Sequence, residues 1–141
     1  MIDIGSGNGF PGIVLAIVSA DTKVHLVEVD TRKAEFLKHV KFKVGLGNAS
    51  VLNKKVQIAG VSDKPTAISR AFADIGASLE MADALFAPGF RYFHMKSENW
   101  EEEWKKSSPV LQKKWRISVA GNYELPDNQT KRKLILSEKI A

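Results

Sequence analysis

The strongest constraint on this chain is a run of alternating glycines close to its start. Gly5-Ser6-Gly7-Asn8-Gly9 follows the triplet Ile2-Asp3-Ile4 and precedes Ile13, Val14, Ile17 and Val18 at helical spacing. A short buried strand, a glycine turn and a helix from about Phe10 to Ser19 are therefore predicted, with Pro11 suited to the helix's first turn. Such a unit demands a parallel neighbour strand, and the rest of the chain supplies candidates. Strands are predicted at Lys23–Glu28, Ala49–Leu52, Thr66–Ser69 and Arg91–Met95. Between them a helix follows the N-cap candidates Asp30 and Thr31 and ends at Gly45 or Gly47, and a second runs from Ile75 to Leu85. A charged helix is expected over Glu98–Lys106, with Trp100 and Trp104 as a packing pair. Lys114–Val119 and Arg132–Leu136 read as closing strands. Turns are expected at Asp63-Lys64-Pro65 and Leu125-Pro126-Asp127-Asn128. Alternating strands and helices argue for a mostly parallel α/β sheet, and two closing strands joined by a short loop argue for an antiparallel edge.

With 141 residues one domain is expected. Cysteine is absent, which excludes disulfides and thiolate metal sites. No apolar run approaches the roughly 20 residues of a membrane span, and no leader pattern is evident. A cytoplasmic, soluble monomer with no membrane partner is the expectation. The net charge of +5 favours polyanionic partners without specifying one. The chain opens directly on its first strand, so a preceding segment is expected to be missing or the start to have been assigned late.

A glycine turn between strand and helix lets a ligand approach the backbone closely. Here Glu28 closes the next strand, where a carboxylate can accept both hydroxyls of a ribose. The pair points to an adenosine-containing ligand. The dinucleotide fingerprint spaces its glycines G-x-G-x-x-G, whereas this loop is G-x-G-x-G behind an acid, Asp3. That compact form resembles the class I S-adenosylmethionine-dependent methyltransferases, Rossmann-like folds whose last strand inserts antiparallel.

Two longer stretches narrow the resemblance. Asp3-Ile4-Gly5-Ser6-Gly7-Asn8-Gly9-Phe10-Pro11-Gly12-Ile13 and Ile68-Ser69-Arg70-Ala71-Phe72-Ala73 closely resemble the small-subunit ribosomal RNA guanine-N7 methyltransferase family, and Arg32-Lys33-Ala34 with Phe36-Leu37 matches its second helix. The similarity runs from Ile2 to about Lys96 and continues more loosely to the C-terminus. It implies methyl transfer from S-adenosylmethionine to N7 of a guanine in 16S ribosomal RNA, near the decoding region, on free RNA or a small-subunit particle. Carried over by position, the family's cofactor contacts fall on Gly5, Phe10, Glu28, Val56, Gln57 and Arg70. Gln57 stands where an acid is common, and its amide keeps an acceptor oxygen for the adenine amino group. Family members carry an N-terminal helical segment before the glycine loop, and its absence here is the expectation. N7 has a lone pair and no proton, so no catalytic acid or base is nominated, and His25, His39 and His94 are read as surface or half-buried residues rather than catalysts. Lys54, Lys55, Lys113, Lys114, Arg116, Lys131, Arg132 and Lys133 are candidate phosphate contacts. Glu28→Ala is expected to weaken cofactor binding with little change in apo stability. Two alternatives stay open: an inactive truncated methyltransferase-fold remnant that binds RNA, and a nicotinamide-dependent oxidoreductase using the same loop.

Overall fold

The computed structural model describes residues 1–63, 65–126 and 130–141. Lys64, Asp127 and Asn128, from the two expected turns, lie outside the described residues. Two compact units make up the chain, Met1–Arg70 and Ala71–Ala141.

The first unit is a four-stranded parallel sheet with its helices. Its elements are β1 (Ile2–Ile4), α1 (Gly12–Val18), β2 (Val24–Val27), α2 (Thr31–Val44), β3 (Ala49–Leu52), a single 3₁₀ turn (Val56–Ile58) and β4 (Thr66–Arg70). The spatial order is β3-β2-β1-β4, with Ile2 opposite both His25 and Ala67. Strands covered on both faces must be apolar throughout, and β1 is buried at every position. Ile13 and Ala16 of α1 and Leu37 of α2 pack with Val24, Leu26, Leu46 and Ala49 into one core cluster. The caps of α2 are those expected: Asp30 Oδ1 accepts the Lys33 N–H at 3.0 Å, and Gly45 closes the helix in the left-handed region. The far end of α1 is closed from a distance. Asn48 Nδ2 donates to the carbonyls of Ala16, Ser19 and Thr22 at 2.9–3.1 Å. The strand order reverses at β1, with β2 and β3 to one side and β4 to the other. Open α/β sheets bind ligands outside the carboxyl ends of strands at that reversal, and the glycine run leaves β1 there.

The second unit contains α3 (Ile75–Leu85), β5 (Arg91–Lys96), α4 (Trp100–Lys105), α5 (Pro109–Lys114), β6 (Trp115–Glu124) and β7 (Lys131–Lys139). β7 lies between β5 and β6 and is antiparallel to both. Both closing strands are longer than expected, and their register shifts between Val119 and Gly121. The helix α5 is an addition to the expected elements. Ser108 Oγ caps it by accepting the Leu111 N–H, and Pro109 fills its first turn. The charged helix is shorter than expected at both ends, and Trp100 and Trp104 are only partly buried. The core is aromatic: Phe86 stacks on Phe90 at 3.7 Å, and Phe90 meets Trp115 edge-on. Lys139 is buried beneath them, with Nζ donating to the Asp83 and Phe86 carbonyls and pairing with Asp83 Oδ1 at 2.9 Å. Lys114 reaches the other Asp83 oxygen at 2.7 Å. Burial alone would raise the Asp83 carboxyl, but its two lysine partners outweigh that and hold it below the usual range.

Candidate functional site

Gly5, Gly7 and Gly9 all take positive φ, at 71°, 55° and 96°, values that side-chain-bearing residues rarely adopt. The turn is tied to β2 by hydrogen bonds: the N–H groups of Gly5 and Ser6 both donate to the Val27 carbonyl, at 2.9 and 3.1 Å. Gly12 is required for a different reason. A Cβ there would lie 2.3 Å from Leu26 Cδ2 and 2.4 Å from Asp3 Oδ2. The first turn of α1 is thus pressed directly against β1 and β2.

Asp3 is the polar residue inside the otherwise apolar β1, and it is 1% exposed. Its Oδ2 accepts the Gly12 N–H at 3.0 Å, which fixes the loop's exit, and its Oδ1 has no hydrogen-bond partner among the described residues. Burial pushes its carboxyl up to about 6, against the opposing pull of bonds from Gly12 and Ser6 and of the Arg70 charge. Its part is to hold the loop.

Glu28 is placed at the end of β2, as expected, but it is 6% exposed and already engaged. Oε2 accepts the Gly7 N–H at 2.8 Å and Oε1 accepts the Asp30 N–H at 2.9 Å. A carboxylate has about four lone-pair sites, so each oxygen keeps capacity for one further donor. The expectation that Glu28→Ala leaves the apo chain unperturbed is therefore revised: this side chain braces the glycine loop. Asn53 completes the edge, with Nδ2 donating to the Glu28 and Val29 carbonyls.

Arg70 and Phe10 are brought together. The guanidinium lies 5.8 Å from the Phe10 ring centroid, and Nη2 donates to Asn8 Oδ1 at 3.2 Å. Phe10 is half exposed, which makes it a wall of the loop rather than a core residue. Val56 is buried and opens the 3₁₀ turn, while Gln57 beside it is exposed. Glu28 holds the glycine loop at Gly7 and Arg70 holds it at Asn8 beside Phe10, with Gly5 at the loop's start, whereas Val56 and Gln57 stand on the separate turn after β3. Sequence reading missed Asn8 and Asn53. The first is an ordinary loop asparagine until Arg70 is seen beside it, and the second satisfies carbonyls that only the fold brings close.

Of the three histidines expected at the surface or half-buried, His39 is exposed and His25 partly buried, whereas His94 is fully buried, a correction. His25 Nδ1 lies 2.8 Å from Ser50 Oγ, and His94 is fully buried with Nε2 3.1 Å from Ser137 Oγ. Among the cationic candidates, Lys54, Lys55, Lys113, Arg116 and Lys131 are exposed. Lys114 is instead committed to Asp83. No described helix is long and apolar enough to cross a membrane.

The profile of the rRNA small subunit methyltransferase G family matches residues 1–135. A ribosomal RNA small subunit methyltransferase G from Bdellovibrio bacteriovorus is 34% identical over 139 residues, which is 99% of this chain and 63% of that relative. A second such protein from the same organism is 32% identical, and the chain spans 55% of it. Among solved structures, a mutant of MtNAS in complex with S-adenosylmethionine superposes with a TM-score of 0.71 at 17% identity, covering 99% of this chain and 54% of that one. An rRNA methylase from Streptococcus thermophilus superposes with a TM-score of 0.61 at 17% identity, covering 99% of this chain and 86% of that one. These likenesses establish the Rossmann-like methyltransferase fold. The family profile covers nearly the whole length, and the chain belongs to the rRNA small subunit methyltransferase G family.

Proposed function

We propose that this chain binds S-adenosylmethionine at the glycine loop and transfers its methyl group to N7 of a guanine in 16S ribosomal RNA near the decoding region. We further propose that residues 1–141 act as one methyltransferase domain, monomeric and cytoplasmic, on free RNA or a small-subunit particle. The observation that carries the reading is the braced loop at the sheet's reversal point, with Glu28 at its edge, in a chain of this family.

The residues present suit such a ligand. A glycine at position 12 lets α1 close on the sheet, and the spare lone pairs of Glu28 can accept ribose hydroxyls while its bonds to Gly7 and Asp30 persist. The Arg70–Phe10 pair, pinned by Asn8, forms a flat, cationic wall beside the loop. When bound, S-adenosylmethionine supplies a methyl carbon activated by a sulfonium. Held by the glycine loop and Glu28, it would give that methyl to the guanine N7 lone pair, the electrons of the carbon–sulfur bond passing to sulfur with no proton to be moved by the chain. The chain's task is then alignment and exclusion of water rather than acid–base work. The Lys54-Lys55 pair after β3, together with Lys113, Arg116 and Lys131–Lys133, offers salt-dependent phosphate contacts.

Calorimetric titration with S-adenosylhomocysteine and tritium transfer to undermodified small subunits test the reading. Binding of the homocysteine ligand and a new methyl at guanine N7 are expected. Binding of NAD(H) in place of S-adenosylhomocysteine would sink it.

A further inference from the structure

The turn after β4, residues 71–74, is built unlike the others described. Ala71 has φ 52°, and it is the non-glycine residue in the described chain with a positive φ. A Cβ in that region crowds the backbone, so the conformation persists only where its surroundings enforce it. The enforcement is visible. Lys96, the last residue of β5, donates from Nζ to the Ala73 carbonyl at 2.6 Å and pairs with Glu103 Oε2 at 2.7 Å, its side chain only 12% exposed. The same Glu103 oxygen accepts the Ile75 N–H at 2.9 Å, and Asp74 Oδ1 accepts the Ala77 N–H at 2.8 Å. A buried ammonium, a carboxylate from α4 and an N-cap therefore fix the backbone directly after Phe72.

The side chain presented by all this bracing is an apolar ring, 42% exposed. Phe36 and Phe42 are exposed too, but they ride on regular turns of α2, where a lone exposed phenylalanine needs no explanation. Phe72 adds little to the core from a backbone that is strained and strapped. Beyond Lys96 the chain continues as Ser97, Glu98 and Asn99, which with Thr130, Lys131 and Arg132 line a polar groove of about 500 Å³. Its hydroxyls, amide and two cations suit ribose and phosphate, with Glu98 the one anion in its lining. Lys96 thus braces the turn that carries Phe72, and the residues next to it in sequence line the groove.

We propose that Phe72 is a stacking platform for an unpaired base of the RNA substrate, with Lys96 and Glu103 as positioning residues that hold its turn. The proposal rests on the methyl-transfer reading above. A base splayed out of RNA offers its face to an aromatic side chain. Stacking uses that face alone. The edges of a stacked base stay open while its tilt is fixed.

The test compares wild type, Phe72→Leu and Phe72→Tyr by tritium transfer to undermodified small subunits, with S-adenosylhomocysteine calorimetry and thermal melts alongside. Phe72→Leu is expected to keep its melting temperature and ligand affinity but to lose about 5- to 150-fold in kcat/KM for RNA, and Phe72→Tyr to restore it. Lys96→Met and Glu103→Gln are expected to raise KM for RNA more than they lower kcat, and that loss is expected to shrink in the Phe72→Leu background, where no platform remains to position. Wild-type transfer by Phe72→Leu, a matching loss of S-adenosylhomocysteine affinity, or failure of tyrosine to rescue would overturn the proposal. A wild-type chain that methylates no RNA overturns the reading beneath it as well, which separates the two failures.

Discussion

Met1–Arg70 buries an acid on a central parallel strand; Ala71–Ala141 buries a histidine on an antiparallel one. Both lack a partner for one ring or carboxyl atom, Asp3 Oδ1 and His94 Nδ1, among the described residues. Burial acts on both in the same sense, against charge, and so moves them in opposite directions. The Asp3 carboxyl is raised to about 6, and the His94 imidazole, with Lys96 adding repulsion, is lowered to about 3. The difference teaches that these two groups favour their folded surroundings at opposite ends of the pH scale. Asp3 favours the folded chain most below its unfolded value of 3.8, and that contribution is lost as pH rises through about 6. His94 contributes fully above its unfolded value of 6.5, and its contribution is lost as pH falls through about 3.

The comparison can be broken most sharply by packing. Gly12→Ala is expected to destabilise the chain by about 3 kcal/mol or more, the upper end for overpacking, because the new methyl meets Leu26 and the Asp3 carboxylate at once. Urea unfolding checks it, with Gly47→Ala, which has open space around its Cβ, as the silent control. The next largest effect lies in the second unit. His94→Leu should gain on wild type by roughly 3 kcal/mol when unfolding is moved from pH 7 to pH 4, because only wild type must then hold a neutral imidazole against protonation. Asp3→Asn should show the mirror image, gaining on wild type by roughly 2 kcal/mol from pH 4 to pH 7. If both variants track wild type at both pH values, the contrast between the units disappears. The smallest effect is Glu28→Ala, expected to cost about 1–2 kcal/mol through the freed Gly7 and Asp30 amides and to weaken S-adenosylhomocysteine binding. Unchanged melting would return Glu28 to the role of a pure ligand contact.

How much of this was legible beforehand depends on how local the cause is. The Asp30 and Gly45 caps of α2 and the span Ile75–Leu85 of α3 were readable because caps and apolar spacing act within a few residues. The helix α5 carried its own signal, Ser108-Pro109, but six residues make too short a pattern to stand out against the strand that follows. The extra length of β6 and β7 comes from pairing with each other, a cause that neither stretch contains. In the candidate site, Glu28 was found by its place after β2, yet its brace on Gly7 required the folded distance. Asn8 and the strap on Ala73 were invisible for the same reason: Arg70 and Lys96 reach them from far along the chain.

Asn48 gathers three carbonyls onto one amide nitrogen, so the closure of α1 depends on that nitrogen remaining a donor. Hydrolysis of that amide to a carboxylate would replace the donor by an anion facing Ala16, Ser19 and Thr22. The far end of α1 would lose its closure and meet repulsion in its place. One side-chain amide, at the opposite end of α1 from the glycine loop, thus secures the helix that follows that loop.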